Sequence, residues 1–226
     1  MSDCIDPLER QQMHRWTTQL IPPELMGAHI ASGRSHTTGR DHDLNFRAAT
    51  AIFGHLGIEW DLAKASPAEL AELGDWITFY KQNRSLLLGG DLVRIDFPDD
   101  TLTATGVVSP DRARAIYSYA SVARSEVVLL GRVPMPGLDP TRRYRVEPAL
   151  LQHAPSGLRP PQWWGVTKVW EHDEYDDLAA HKPPAYVAAG KTPGVVLPGS
   201  VLASVGLAAA PINPDHAVIY IVKAVD

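Results

Sequence analysis

With 226 residues, 45% of them hydrophobic and 21% charged, the chain carries enough apolar side chains for one large core or two small ones, which excludes intrinsic disorder. A formal net charge of −5 without a long run of Lys or Arg argues against a phosphate backbone or an anionic bilayer as the main partner, so neither nucleic acid nor membrane is expected and a neutral ligand fits better. The single cysteine, Cys4, excludes an internal disulfide, and with no signal-peptide pattern at the N-terminus the expectation is a soluble, cytoplasmic protein.

Residues 7–88 read as helical. Asp6-Pro7 places a capping side chain before a proline at the first helical position, and Met13, Trp16 and Leu20 then mark one apolar face until Pro22-Pro23. A second helix is expected from Leu44 to Leu56, capped by Asp43 and followed by Gly57. A third starts at the capping box Ser66-Pro67-Ala68-Glu69, carries Leu70, Leu73, Ile77 and Tyr80 on one face, and ends before Gly89-Gly90.

From Asp91 the pattern changes to short β-branched and aromatic runs: Leu92–Phe97, Leu102–Val108, Arg114–Val122, Glu126–Val133 and Arg143–Val146. Ala217–Val222 is a further strand, placed to return and complete the same antiparallel sheet. Residues 147–194, rich in Pro, Trp and charge, read as a long insertion, and Val195–Leu202 as a turn of strand or helix. The division is therefore residues 1–90 and residues 91–226, the latter expected to be the independently stable unit.

Two segments concentrate reactive side chains. The turn Ser2-Asp3-Cys4-Ile5-Asp6-Pro7-Leu8-Glu9-Arg10 sets carboxylates just ahead of a helix whose free amides favour negative charge; Asp6 is explained as a cap, and Asp3 reads first as a solvated loop residue, with a catalytic role as the alternative. The stretch from Gly27 to Asp43 gathers His29, His36, His42, Arg34, Arg40, Asp41 and Asp43. Its histidine spacings match no short chelating motif, so no metal is expected, and His29, His36 and Arg40 are candidates for shaping a pocket rim. Neither Cys4 nor any other feature calls for a cofactor. The acidic run 172–177 reads as a solvated loop, and Trp163, Trp164 and Trp170 as buried anchors in preference to sugar-stacking rings.

The opening resembles the Ser-Asp-x-x-Asp-x-x-Glu-Arg signature of the α-galactosidases of glycoside hydrolase family 36, matched by Ser2, Asp3, Asp6, Glu9 and Arg10. In the family's order follow Met26-Gly27-Ala28-His29-Ile30, Ser35-His36-Thr37-Thr38-Gly39-Arg40, Arg47-Ala48, Phe53-Gly54-x-x-Gly57-x-Glu59-x-Asp61-Leu62, Tyr80-Lys81, Gly90-Asp91, and Gly137-Leu138-Asp139-Pro140 with Tyr144-Arg145-Val146. Cys4, Ile5 and Thr37 depart from the pattern.

The resemblance implies an α+β chain: the final β/α elements of a TIM barrel, with Met26–Ile30 as last strand and Leu44–Leu56 as last barrel helix, followed by an antiparallel β-sandwich domain. It implies a C-terminal fragment of a retaining enzyme acting on terminal α-galactosides, with Asp3 as the acid/base that meets the substrate. The nucleophile of the family lies in an earlier Lys-Trp-Asp-x-Asn-like motif that this sequence does not contain, so the chain alone is expected to be inactive. Trp60-Asp61 is read as structural. Implied partners are an α-galactoside, the missing upstream half, and further copies of the same subunit. The alternative is a non-catalytic β-sandwich module that binds carbohydrate or supports another subunit; a metal-dependent hydrolase built on the histidine loop ranks behind both.

Overall fold

The computed structural model describes residues 3–126, 131–149, 161, 163, 194–209 and 212–225. Outside the described residues lie Ser2, positions 127–130 of the expected strand Glu126–Val133, Trp164, Trp170, the acidic run and most of the insertion.

Helix α1 (Pro7–Thr17) begins where the Asp6 carboxylate accepts from the Leu8 amide at 2.9 Å, with Pro7 in the first turn. Its Met13–Trp16–Leu20 face, apolar by period, is open to solvent: Trp16 is 68% and Leu20 90% exposed. The residues α1 buries are Pro7 and Arg10.

Strand β1 (Gly27–Ala31), helix α2 (Leu44–Ala51) and strand β2 (His55–Glu59) form a βαβ unit in which the strands pair in parallel, Ala28 opposite Leu56 and Ile30 opposite Ile58. This corrects two expectations. The helix expected over Leu44–Leu56 stops at Ala51, and β1 is not the last strand of its kind. Gly54 is the physical reason: a Cβ there would stand 2.9 Å from the Met26 carbonyl, so glycine lets the chain fold back beside β1, where the His55 amide donates to that carbonyl at 2.8 Å. The alternation of β2 is only five residues long and contains Gly57, which reads as a helix end instead.

Helix α3 (Pro67–Gly89) starts with the expected capping box, the Glu69 amide donating to Ser66 Oγ at 3.2 Å and the Ser66 amide to Glu69 Oε2 at 2.9 Å. It buries Leu73, Trp76, Phe79, Leu86 and Leu87. Its Tyr80 hydroxyl donates to the Gly54 carbonyl (3.0 Å) and accepts from the Leu56 amide (3.3 Å), fixing the entry to β2.

Six strands then make one antiparallel sheet: β3 (Asp91–Ile95), β4 (Leu102–Val108), β5 (Arg114–Ser121), β7 (Arg143–Pro148), β8 (Val195–Pro198) and β10 (His216–Ala224), in the order β3-β4-β5-β10-β7-β8. The C-terminal strand returns as expected, inserted between β5 and β7. A second, smaller layer consists of β6 (Arg132–Val133) paired with β9 (Leu207–Ala208), beside helix α4 (Gly199–Ser204), giving a sandwich. The segment Val195–Leu202 thus supplies both a strand and a helix.

The large sheet is covered on both faces, so side chains of both parities along β5 and most of β10 are buried. Tyr117, Tyr119, Tyr220 and Val222 pack with Val133, Met135, Leu202 and Leu207 of the second layer. Ile116, Ala120, Ala217 and Ile219 pack with residues of α2 and α3, so the βαβ unit and the sheet share a core. Polar ties reinforce the joint: Asn45 donates to the Ala217 carbonyl (2.9 Å), Arg114 to Asn83 (3.0 Å) and Arg94 to the Thr18 carbonyl (2.8 Å). Trp163 Nε1 donates to the Ala208 carbonyl at 2.9 Å, as befits an aromatic anchor. No helix among the described residues is long and apolar enough to cross a membrane.

Candidate active site

Asp6, fully buried, organises the N-terminal turn. Beyond capping α1, it accepts at Oδ2 from Thr38 Oγ1 (2.5 Å) and Arg40 Nη1 (2.9 Å). Burial on its own raises the pKa of this carboxyl, but the hydrogen bonds from Thr38, the Leu8 amide and Arg40 outweigh it and hold the pKa below the ordinary value. Asp3 lies three residues upstream, exposed, in the bend that Asp6 ends.

Thr38 and Arg40 belong to a compact hairpin spanning residues 33–42. It is closed by the Ser35 amide on the Arg40 carbonyl (2.8 Å), the His42 amide on the Gly33 carbonyl (3.0 Å) and an Arg34–Asp41 bridge, with Gly39 turning at φ 73°. This hairpin leaves the C-terminal end of β1, so the acidic turn sits at that end of the parallel pair.

Two buried arginines grip the same strand end. Arg10 Nη1 donates to the His29 carbonyl at 2.8 Å, and Arg47 Nη1 to the Ala31 carbonyl at 2.5 Å, with the Arg47 guanidinium 4.8 Å above the Trp60 ring. Trp60 thus carries the Arg47 guanidinium on its face, and Asp61 caps the short 3-10 turn Leu62–Lys64.

The sequence candidates separate. Arg40 joins the acidic turn directly, also reaching Glu9 at 3.9 Å. His29 is buried on β1 with Nε2 2.8 Å from Glu59 Oε2; burial and the nearby Arg10 lower its pKa, against the pull of Glu59. His36 lies exposed near the hairpin tip, apart from them. The Cys4 thiol is pushed up by burial and by its hydrogen bond to Glu9 Oε2 (3.1 Å), opposite to what a thiolate nucleophile requires. Among the described residues no group of three or more His, Cys, Asp or Glu is arranged to hold a metal ion.

Sequence reasoning missed the reach of Asp6 to the hairpin, because a helix cap already accounted for that residue. Glu59 appeared only within the Gly57-x-Glu59 match, and its contact with His29 had no local signal.

Comparison with known proteins supplies the context. Residues 1–90 match the Melibiase family and residues 102–222 the family described as "Glycosyl hydrolase family 36 C-terminal domain". The α-galactosidase of Escherichia coli is 40% identical over 145 residues, 64% of this chain and 20% of that protein. Alpha-galactosidase AgaA of Geobacillus stearothermophilus is 30% identical over 147 residues, 65% of this chain and 20% of that protein. The crystal structure of the α-galactosidase from Lactobacillus brevis superposes with a TM-score of 0.74 at 25% identity, covering 100% of this chain and 26% of that one. The chain thus spans 20% to 26% of these relatives, in their C-terminal portion. Both family matches, the shared sandwich and the order of the motifs agree: this chain belongs to glycosyl hydrolase family 36.

Proposed function

We propose that the chain supplies the acid/base side of a retaining α-galactosidase site and that a separate upstream segment supplies the nucleophile. In the first step Asp3 gives its proton to the glycosidic oxygen as the nucleophilic carboxylate attacks the anomeric carbon, releasing the leaving alcohol and forming a glycosyl–enzyme ester. In the second, Asp3 takes a proton from water, which attacks the anomeric carbon and frees the carboxylate. The two carboxyl groups of such a pair stand about 5–5.5 Å apart.

The observation that carries this reading is the contact of the acidic turn with the hairpin leaving the C-terminal end of β1, the end at which barrel enzymes place their catalytic groups. Asp6 then serves as anchor, Glu9 lies within α1 beside Cys4 and Arg40, and Asp3 is the exposed carboxylate ahead of the helix. Variants of AgaA from Geobacillus stearothermophilus have been crystallised with raffinose and with stachyose, and α-galactosides of this kind are the proposed substrates. The proposed partners are the upstream portion of the enzyme and further copies of the assembled subunit, and the proposed site of action is the cytoplasm.

The test is turnover of an aryl α-galactoside by the chain alone and by a chimera in which it replaces the corresponding C-terminal portion of the Escherichia coli α-galactosidase. The chain alone is expected to be inactive, the chimera active, and the chimera bearing Asp3→Asn much slower in steady-state turnover, because its second step lacks a base. Turnover by the isolated chain, or a chimera indifferent to Asp3→Asn, contradicts the reading.

A further inference from the structure

The face of the large sheet that packs on α2 and α3 is apolar over most of its extent, with Val107, Ile116, Ala120, Ala217 and Ile219 buried in the shared core. One patch departs from that pattern. Thr105 on β4 stands opposite Ser118 on β5, just as Val107 stands opposite Ile116, and Thr103 lies two residues before Thr105. Side chains alternate along a strand, so these three hydroxyl groups share the face of Val107 and Ile116. Over them, Gln11 and His14 of α1 and Thr50 of α2 complete the lining of a cavity of about 30 Å³.

Ser118 is the reason to look into it. The residue is 6% exposed, and its Oγ meets no hydrogen-bonding group among the described residues. Folded proteins leave few buried hydroxyls in that condition, and where the surroundings are polar and roomy the usual partner is an ordered water. The rest of the lining is equipped to hold one. Gln11 Nε2 donates one hydrogen to Thr50 Oγ1 at 2.9 Å, and an amide nitrogen has a second to give. Thr103 Oγ1 donates to Gln11 Oε1 at 3.3 Å, and a hydroxyl oxygen that donates can still accept.

Size and charge select the ligand. Sites for small organic molecules begin at roughly 300 Å³, far above this cavity, whereas about 10–15 Å³ suffices for one water. Among the described residues no carboxylate lines the cavity to balance a cation. Arg15 at its edge is paired with Asp96, and burial, reinforced by Arg10, keeps His14 neutral, so an anion finds no uncommitted positive charge. A small neutral molecule that both donates and accepts is what fits.

We propose that this cavity is a water site, in which one or two ordered waters bridge Ser118 Oγ to the Gln11–Thr50–Thr103 group and so tie α1 to the sheet. The tie matters for α1 because that helix buries only Pro7 and Arg10 and draws little from apolar packing. It is independent of the role assigned to Asp3.

The experiment combines a high-resolution crystal structure of the full chain with thermal unfolding of Ser118→Ala, a substitution that removes a single oxygen and leaves the backbone free to keep its path. The structure is expected to show a water about 2.7–3.2 Å from Ser118 Oγ and within the same reach of Gln11, Thr50, Thr103 or Thr105. With that water in place the hydroxyl makes a hydrogen bond, so Ser118→Ala should lower the melting temperature by about 2–4 °C. In a dry cavity the same substitution removes an unsatisfied buried group, and the melting temperature should hold or rise. A refined cavity without a bound water, or a melting temperature that does not fall, overturns the proposal.

Discussion

Asp6 shows how a residue with an adequate local explanation can carry a second duty. As a helix cap its loss would cost about 1 kcal/mol. As the acceptor for Thr38 and Arg40 it leaves more behind when removed, so Asp6→Ala should destabilise the chain by about 2–3 kcal/mol in chemical unfolding. Because its native pKa lies below the unfolded value, this contribution is present above the ordinary carboxylate range and is lost as pH falls through the native value. His14 titrates in a different window. Desolvation, reinforced by Arg10, lowers its pKa to about 4 from 6.5, so the folded chain binds fewer protons than the unfolded one between those values. Stability should therefore fall as the solution is acidified below pH 6.5, with a slope of up to about 1.4 kcal/mol per pH unit, and flatten below about pH 4. The melting temperature of His14→Gln should be less sensitive to pH across that window; an identical profile for both proteins would remove His14 from the account.

At the scale of elements, the sheet makes a sharper prediction than the helices. Gly106 on β4 stands opposite Tyr117 on β5, and any Cβ added there would overlap the Tyr117 ring, whose hydroxyl donates to the Pro136 carbonyl at 2.5 Å. Gly106→Ala should cost about 1–3 kcal/mol by overpacking, and much of that should be recovered when Tyr117 is also trimmed to Leu. Equal, additive losses would mean that the ring does not depend on the glycine. Helix starts were legible in the sequence, because Asp6, Asp43 and Ser66 each act through hydrogen bonds within a few residues. The strands β4, β5 and β10 were legible because their runs of β-branched and aromatic residues end at turn signals. Strand β2 was not, since its existence depends on Gly54 meeting the Met26 carbonyl from a distant part of the chain. The reach of Asp6 to Arg40 was hidden for the same reason: it joins residues far apart in sequence and has no local pattern.

On the scale of the whole molecule, two surfaces decide behaviour. The helix-facing side of the large sheet, Ile116, Ala217 and Ile219, is buried against α2 and α3, so the boundary near residue 90 separates architectures that share a core. Residues 91–226 on their own should unfold at a lower denaturant concentration than the full chain; equal midpoints would restore the sandwich as a self-sufficient unit. The exposed stripe of Trp16, Leu20 and Leu25 is the second surface, 68%, 90% and 73% exposed. Patches of this kind drive association, so the chain should sediment as more than a monomer, and Trp16→Glu with Leu20→Glu should shift it toward the monomer. The central claim remains the role of Asp3, and the chimera with Asp3→Ala tests it most directly, by comparing a galactoside of a poor leaving group with an activated aryl galactoside and adding azide. A general acid matters most where the leaving group needs a proton, so turnover of the poor substrate should collapse while the activated one is spared at its first step, and azide should restore part of the second by attacking the glycosyl intermediate without base assistance. Equal losses on both substrates with no response to azide would contradict the account and leave Asp3 a structural residue.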